Sequence, residues 1–382
     1  MIEAMAGLGL FSAGAVLCYG LCLVVRSVAP RVGLIDTPGG RKAHEAPTPM
    51  GGGVAIWLAL VLVLGLGTAW VASGLPLPPE MSKHAEGSML RVRSLWVIVG
   101  LATGMMLVGL ADDRFRLDWK PRLALQVLAA AGLVAAGAQI TLFGPLGWPP
   151  IRWGITILWV VGLTNSFNFL DNMDGLSAGV GLIVALLFVG AQAAVGALFV
   201  PAVLLVLAGS LAGFLVHNSP PARLFMGDAG SNFLGFLLGA MTVVGTFTKD
   251  YPGSGDSPYG VLAPLLVMAV PLYDTASVIL IRVRAGRSPF QADRSHFSHR
   301  LIERGLTPPW AVRTIYLVTL SGGLGALLLH RLDGWGAAVV VSQTLCVLGV
   351  VAILEIKRPK ATASGPPSPP APADEATTGS IR

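Results

Sequence analysis

The sequence predicts an all-α integral membrane protein, a polytopic bundle of about eleven transmembrane helices. Hydrophobic residues make up 54% of the 382 residues and charged residues only 12%, about half the charged fraction of an ordinary soluble protein. Apolar runs of about 18 residues or more, long enough to cross a bilayer, recur along the chain. They lie near residues 6–28, 51–72, 94–111, 121–140, 154–170, 175–193, 197–216, 231–248, 260–281, 310–330 and 335–356.

Both ends of the chain can be interpreted from their composition. No basic leader precedes the first apolar run, so we expect an uncleaved helix rather than a signal peptide. Residues 1–358 form the expected membrane domain, and residues 359–382, rich in Pro and Ala, form an expected disordered tail. The three cysteines lie inside apolar runs without a CxxC pair, which favours packing over a disulfide or zinc role.

The basic residues between the runs predict the orientation in the membrane. If the amino terminus lies outside, 20 of the 26 Lys and Arg residues fall on the cytoplasmic side, as the positive-inside rule requires. An odd number of spans then places the carboxyl terminus in the cytoplasm. The net charge of +6 is explained by this topology, and no basic run interleaved with aromatic residues indicates a nucleic-acid partner.

Five polar clusters, within residues 36–50, 112–118, 165–174, 217–232 and 286–300, all fall on the predicted cytoplasmic side. The most unusual is GLTNSFNFLDNMDGLSAG, where polar residues interrupt two apolar runs. In a helix, Asn165, Asn168 and Asn172 follow i, i+3, i+7 spacing, with Asp171 and Asp174 beside them. Such groups at the edge of a membrane span indicate a wet functional cavity, although Asn and Asp also cap helix ends.

The second cluster, GLADDRFRLD, ends the third predicted span with Asp112 and Asp113, followed by Asp118. Paired carboxylates at a membrane surface suit Mg²⁺, which takes one or two carboxylates and completes its shell with water and substrate phosphates. Alternatively, one carboxylate binds metal while its neighbour positions or deprotonates a nucleophile. A solvated helix end paired with Arg114 or Arg116 is the simpler structural explanation.

The fourth cluster, RLFMGDAGSNFLG, places Asp228 between glycines where the eighth predicted span begins. Glycines let a backbone approach a phosphate, and a helix amino terminus with Ser231 and Asn232 favours an anion. A turn with Asp228 as helix cap is the alternative.

The remaining two clusters carry cations. Lys42 and His44 in the first loop could hold phosphate charge, although positive-inside anchoring explains them almost as well. In the last large loop, His296 and His299 share a face of any helix that forms there, and with Arg300 they would make a cationic diphosphate clamp. An ordinary surface loop is the alternative, and zinc is disfavoured because no Cys or third His lies nearby.

Together, the motifs RKAHEAPTPMGGG, GLADD, NSFNFLDNMDG, FMGDAGS and PFQADRSHFSH resemble those of the polyprenyl-phosphate N-acetylhexosamine-1-phosphate transferase family. The resemblance spans about residues 30–305 and is closer to the GlcNAc branch than to the peptidoglycan branch. It implies a Mg²⁺-dependent reaction, with Mn²⁺ as an alternative ion, in which a lipid phosphate attacks the β-phosphorus of a UDP-sugar and releases UMP. Two residues depart from the family pattern: Ser298 replaces a histidine and Asn172 replaces a glycine.

By this resemblance we expect three sets of functional residues. Catalytic roles are expected for Asp112, Asp113, Asp171 and His296. Substrate contacts are expected for Lys42, His44, Asn165, Asn168, Asp174, Ser231, Asn232, His299 and Arg300. Metal ligation is expected for Asp228, Asp113 and Asn168.

The expected substrates are a UDP-N-acetylhexosamine, with UDP-GlcNAc favoured, and undecaprenyl phosphate. The expected location is the bacterial inner membrane, with the active site on the cytoplasmic face, and the resemblance allows a homodimer. Direct displacement and a two-step route through an aspartyl phosphate both stay open. A transporter or lipid flippase would need acids near the bilayer midplane rather than at one edge. A non-catalytic scaffold is the other alternative.

Overall fold

The computed structural model shows an all-α bundle. It describes residues 2–37, 47–74, 85–140, 148–245, 257–289, 293 and 295–355. Its helices are α1 (Ile2–Val28), α2 (Gly52–Ala72), α3 (Ala85–Phe115), α4 (Trp119–Ala135), α5 (Pro149–Leu170), α6 (Leu176–Ala193), α7 (Phe199–Asn218), α8 (Gly227–Gly245), α9 (Ala263–Val267), α10 (Ala269–Arg284), α11 (Phe297–Glu303), α12 (Pro308–Gly323) and α13 (Gly334–Leu354). Two short antiparallel strands, β1 (Ile35–Asp36) and β2 (Thr48–Pro49), lie between α1 and α2.

The predicted class, an all-α polytopic membrane protein, is confirmed. Each of the predicted apolar runs overlaps a helix, and eight of the described helices are long and apolar enough to cross a membrane. A ninth span results if the segment Pro258–Val267 and α10, which meet at 61°, are taken together. The other two predicted runs correspond to α4, which has 17 residues, and to α8, which carries Asp228 in its first turn. The count of eleven and the orientation of the termini stay predictions.

Helix α8 occupies the centre of the bundle and is buried along almost its whole length. Neighbouring backbones approach it at glycines: a methyl group at Gly53 of α2 would lie 2.1 Å from the Gly230 nitrogen. One at Gly109 of α3 would lie 2.1 Å from the Asp228 carbonyl oxygen. Small residues therefore bring three helix backbones together, the usual way that membrane helices pack closely.

Helices α1 and α7 pack by the same device. A methyl group at Gly209 would lie 2.0 Å from the Phe11 carbonyl oxygen, and one at Gly213 would lie 2.2 Å from that of Ala15. The many glycines of the sequence thus include several at backbone contacts between helices, as expected for a membrane bundle.

The polar residues collect where helices end. The end of α3 is hydrogen-bonded to the start of α8. At the same end of the bundle, the turn after α5 is hydrogen-bonded to the end of α7 and to the loop that follows α7. This end of the bundle carries the predicted site, so the central position of α8 determines which side chains can reach one another.

Candidate active site

The end of α3 is joined directly to the start of α8. The Asp113 carboxylate accepts hydrogen bonds from the backbone nitrogens of Asp228, at 2.8 Å, and Ala229, at 3.1 Å. A carboxylate stabilises the positive end of the helix dipole and satisfies amides that lack a partner inside the helix. Gly227 takes a φ of 74° here, and a side chain would place its Cβ 2.6 Å from the Asp113 carboxylate. In this structure the anion at the helix terminus is Asp113, and the predicted contact with a phosphate there stays a prediction.

A cation lies between two of the predicted carboxylates. Arg122 of α4 donates from Nη1 to Asp112 and also to Asp228, the latter at 3.2 Å. Asp112 is only 7% exposed, and its other oxygen accepts from the Leu117 nitrogen at 2.7 Å. The partner of Asp112 is thus Arg122, not the neighbouring Arg114 or Arg116 considered from the sequence. Because one guanidinium nitrogen reaches both carboxylates, Asp112 and Asp228 share one polar centre.

Two of the three asparagines predicted to share one face of α5, Asn165 and Asn168, do face this centre, but the helix ends at Leu170, so Asn172 lies in the turn beyond it. Asn168 donates from Nδ2 to Asp228 Oδ1 at 2.7 Å and to Ser231 Oγ at 3.0 Å. Asn165 donates to Gln126 at 2.7 Å, and Gln126 donates to Asn232 at 3.2 Å. These bonds connect α4, α5 and α8 through side chains that would otherwise be buried without partners.

Two of the residues predicted to contact substrate have structural contacts instead. Ser231 is 0% exposed and Asn232 is 2% exposed. Ser231 accepts from Asn168, and Asn232 donates to the carbonyl of Asp228 at 2.9 Å. In this structure they hold Asn168 and the first turn of α8 in place. A direct contact with substrate stays a prediction for both.

The turn after α5 holds the other two predicted aspartates. Asp174 accepts from the Ala222 nitrogen at 2.9 Å, so it fixes the loop between α7 and α8. Asp171 is different, because none of the described residues donates a hydrogen bond to its carboxylate. Burial, together with the negative charges of Asp113 and Asp174, raises the pKa of Asp171 to about 7. A carboxyl group that exchanges a proton near neutral pH is suited to acid–base catalysis.

The last loop brings a histidine to the end of α5. His296 Nδ1 lies 3.0 Å from Oδ2 of Asp274, a carboxylate that is 0% exposed. Asp274 also accepts from the Phe297 nitrogen at 2.6 Å. The imidazole packs against Phe169, the neighbour of Asn168, with ring centroids 5.5 Å apart, and lies 6.4 Å from the ring of His299. A carboxylate on Nδ1 orients the ring and leaves Nε2 for another partner.

Arg300, one of the three cations expected to form a diphosphate clamp in this loop, has structural partners. Its side chain is only 12% exposed and pairs with Glu355 at the end of α13, with 3.0 Å between Nη2 and Oε2. It also donates to Ser277 at 2.8 Å. Because the guanidinium is engaged by α10 and α13, it fastens α11 to the bundle. A contact between Arg300 and substrate stays a prediction.

The two residues that depart from the family pattern contact each other. Ser298 of α11 donates to Asn172 Oδ1 at 2.6 Å, across 126 positions of sequence. The contact joins α11, which contains His299, follows His296 and is called the histidine helix below, to the turn that carries Asp171 and Asp174. The two departures therefore belong to one local interaction.

The segment before α11 is held by a buried ion pair. Arg282 is 2% exposed, lies 5.5 Å over the Phe169 ring, and donates to Asp293 at 3.0 Å. Burial alone would raise the pKa of Asp293, but hydrogen bonds from Arg282 and Ser295 outweigh it and hold that pKa at about 2. This interaction fixes the entry to the histidine helix.

The residues at the centre suit a hard divalent cation by their chemistry. No group of three Asp, Glu, His or Cys side chains that could hold a metal alone occurs within the described ranges. Mg²⁺, however, needs only one or two carboxylates when substrate phosphates complete its shell. Asp228 and Asp112 supply carboxylate oxygens, and no described residue hydrogen-bonds to the side-chain oxygen Oδ1 of Asn168. Both oxygens of Asp112 and of Asp228 already accept hydrogen bonds, so a bound ion would replace the contacts of Arg122 there. At Asp113 an ion would instead have to replace two backbone amides of α8.

Several residues of the site were not singled out from the sequence. They are Arg122, Gln126, Asn218 and Asp274. Asp274 could have been found from the sequence, because it is a lone acid inside an apolar run. Ionisable groups within membrane spans are costly and usually have a function. Lys42 and His44 lie outside the described residues, so their predicted contacts are not placed.

Comparison with known proteins agrees with this geometry. Glycosyl transferase family 4 matches residues 95–246, which include most of α3 and all of α4 to α8. The chain is 33% identical over 371 residues to a decaprenyl-phosphate N-acetylglucosaminephosphotransferase of Mycobacterium tuberculosis, with 90% of this chain and 87% of the relative covered. The corresponding protein of Mycolicibacterium smegmatis is 34% identical, with the same coverage.

A third relative comes from Bacillus subtilis and is described as a probable undecaprenyl-phosphate N-acetylglucosaminyl 1-phosphate transferase. It is 27% identical over 338 residues, which cover 86% of each chain. The relationship to these transferases is established by an identity above 30% over nine-tenths of the chain. The segment matched to the family also carries the predicted aspartates. The chain belongs to glycosyl transferase family 4, among the polyprenyl-phosphate N-acetylhexosamine-1-phosphate transferases.

Proposed function

We propose that this transferase moves N-acetylglucosamine 1-phosphate from UDP-GlcNAc to a polyprenyl phosphate, releases UMP, and so begins synthesis of a cell-envelope polysaccharide. The observation that carries the proposal is the convergence of Asp112, Asp113, Asp171 and Asp228 at one end of the bundle. The relatives named for decaprenyl-phosphate and undecaprenyl-phosphate N-acetylglucosamine transfer support the acceptor class and the sugar.

The proposed reaction exchanges one phosphate linkage for another. An oxygen of the lipid phosphate bonds to the β-phosphorus of the nucleotide sugar. The bond from that phosphorus to the bridging oxygen breaks, and UMP leaves with the bridging oxygen. The sugar phosphate ends on the lipid as a diphosphate. Such a transfer depends mainly on alignment and charge neutralisation, for which a centre of carboxylates and cations is suited.

Asp228, Asp112 and the side-chain oxygen Oδ1 of Asn168 would hold Mg²⁺. When bound, the ion would neutralise negative charge on the substrate diphosphate. Arg122 is a second positive charge at the same centre, because it already contacts both carboxylates. Asp113 positions Asp228 through its hydrogen bonds to the backbone of α8.

Asp171 is the candidate base. Its carboxylate has no hydrogen-bond donor among the described residues, and its raised pKa, about 7, lets it take a proton from the lipid phosphate near neutral pH. His296 is positioned by Asp274, and its ring packs against Phe169 at the end of α5 with the two ring planes 60° apart. There it would contact the diphosphate of the donor. His299, Lys42 and His44 stay predicted substrate contacts.

The site would lie at the cytoplasmic surface of a bacterial inner membrane. A lipid phosphate and a water-soluble nucleotide meet only at a membrane–water boundary, and the aspartates lie at helix ends rather than in mid-span. The loop bias in Lys and Arg supports the cytoplasmic side. A homodimer stays a prediction.

A reconstituted assay tests the proposal. Purified protein in detergent is given Mg²⁺, undecaprenyl or decaprenyl phosphate and a panel of UDP-sugars, and UMP and the lipid product are measured. We expect turnover with UDP-GlcNAc, its loss with a chelator, and its recovery with Mg²⁺ or Mn²⁺. Asp228→Asn should lower kcat at least about a hundredfold. The matched control Asp118→Asn changes an exposed carboxylate near the end of α3 and should keep activity.

The outcomes separate the alternatives. Absence of turnover with every sugar would favour a non-catalytic scaffold. Turnover with a different UDP-sugar would keep the reaction and correct the donor. Full activity of Asp228→Asn would exclude Asp228 as the essential metal ligand.

A further inference from the structure

The last helix of the described bundle ends in a buried carboxylate. The Glu355 side chain, at the carboxyl end of α13, is only 7% exposed. It accepts from Arg300 Nη2 at 3.0 Å and from the Tyr273 hydroxyl at 2.7 Å. Its backbone carbonyl also accepts from Arg304. A buried charge with this many partners is a specific interaction, because an isolated carboxylate would not remain ionised there.

The partner of Glu355 belongs to the histidine helix. Helix α11 has seven residues, and His296 is its amino-terminal cap. A helix of two turns is unstable by itself in water, so tertiary contacts must decide where it lies. Three polar side-chain contacts help to anchor it: Ser298 binds Asn172, and Arg300 binds both Glu355 and Ser277.

The same part of α10 holds both Glu355 and the imidazole. Tyr273 donates to Glu355, and the next residue, Asp274, binds His296 Nδ1 at 3.0 Å and the Phe297 nitrogen at 2.6 Å. Tyr273 and Asp274 are adjacent in α10, and His296 and Arg300 are four residues apart around α11, so the Arg300–Glu355 pair and the Asp274–His296 contact are linked through the same two helices.

We propose that Glu355 is a positioning residue for the transferase site: its ion pair with Arg300 fixes α11 so that Asp274 orients the His296 ring. This inference rests on the proposed function of His296, but not on the identity of the sugar. Glu355 lies more than 100 residues beyond the segment matched to the family, at the end of a helix that otherwise has no predicted role in the site.

The test compares Glu355→Gln, which keeps the shape but removes the charge, with Glu355→Asp, which keeps the charge. The control is Asp333→Asn, a change at the opposite end of α13 that retains an acceptor for the Gly336 nitrogen. We expect Glu355→Gln to lower kcat about ten- to a hundredfold while KM for the nucleotide sugar stays within about threefold. Glu355→Asp should recover part of the loss, and the control should match the wild type.

A double variant distinguishes positioning from general loosening of the fold. If Glu355 acts through the imidazole, Glu355→Gln should have no further effect on kcat in a His296→Ala background. A full additional loss in that background, or wild-type kcat of Glu355→Gln alone, would overturn the proposal.

A readout independent of turnover keeps the two proposals separable. The side-chain NMR signals of His296, assigned by their loss in His296→Ala, should move in Glu355→Gln and not in Asp333→Asn. This shift is expected even if no sugar is transferred. Unchanged His296 signals in folded Glu355→Gln protein would overturn the positioning role, whereas absent turnover in wild-type protein would contradict only the proposed function.

Discussion

The hydrogen bonds of Asp113 give the prediction with the clearest magnitude. In Asp113→Asn, one oxygen can still accept an amide of α8, but the other becomes an NH₂ group that faces an N–H donor. One of the two charge-assisted hydrogen bonds is therefore lost, at about 1.5 to 3 kcal/mol. Loss of the negative charge at the helix terminus adds about 0.3 to 1 kcal/mol. We expect the free energy of unfolding to fall by about 2 to 4 kcal/mol.

The assay is reversible denaturant unfolding of the detergent-solubilised protein, run beside UMP release. Asp118→Asn is the matched control, because Asp118 caps α4 at an exposed position and accepts a single amide at 2.7 Å. Its cost should be less than about 1 kcal/mol. Activity should fall together with stability in Asp113→Asn, because Asp228 moves with the first turn of α8. Wild-type stability combined with lost turnover would refute this reasoning and return Asp113 to a direct role in the chemistry.

Three further predictions concern packing, pH and the histidine helix. Gly213→Ala should lower the free energy of unfolding by about 1 to 3 kcal/mol, since the new methyl group meets a carbonyl oxygen of α1. The control Gly20→Ala, where a methyl group would meet open space, should leave it unchanged. Equal unfolding curves for Gly213→Ala and the wild type would contradict the close packing of α1 and α7. Asp293→Asn should cost about 1 to 2 kcal/mol at pH 7, after discounting for solvent screening. Since the pKa of Asp293 in the folded protein, about 2, lies below its ordinary value of 3.8, the stabilisation is present above pH 4 and is lost as pH falls towards 2. Unfolding measured at both pH values checks this, and a difference from wild type that persisted at pH 2 would contradict it. Ser298→Ala should cost about 1 kcal/mol by removing the hydrogen bond to Asn172, and Ser298→Thr should recover part of it; unchanged stability in the alanine variant would show that the bond contributes nothing.

Much of the site could be anticipated because polarity in an apolar chain is a strong local signal. Asp112, Asp171 and Asp228 each interrupt or end an apolar run, and a bilayer tolerates such groups only where they meet partners or water. The helical spacing of Asn165 and Asn168 also predicted one shared face, which the structure shows. These inferences needed only composition and period, which are properties of single segments.

Other roles were not predictable, because they depend on how separate helices are rotated against each other. Asp113 and Asp228 are 115 residues apart, and whether Asp113 binds metal or caps α8 depends on where α3 ends relative to that helix. Arg300 was grouped with the histidines by proximity in sequence, but it pairs with Glu355 instead. These distances are decided by close approaches of helix backbones at glycines. Such contacts between helices produce no periodic pattern in the sequence.

The sequence by itself determined that this protein is a helical membrane protein of the transferase family, and it identified the five polar clusters in which the chemistry had to lie. Only the tertiary structure decided the partners: Asp113 with the amides of α8, Arg122 between Asp112 and Asp228, and Asp274 with His296. The physical reason is that the hydrophobicity of a single segment is enough to predict that the segment lies in the membrane. A hydrogen bond between two helices, in contrast, exists only when packing brings its donor within about 3 Å of its acceptor.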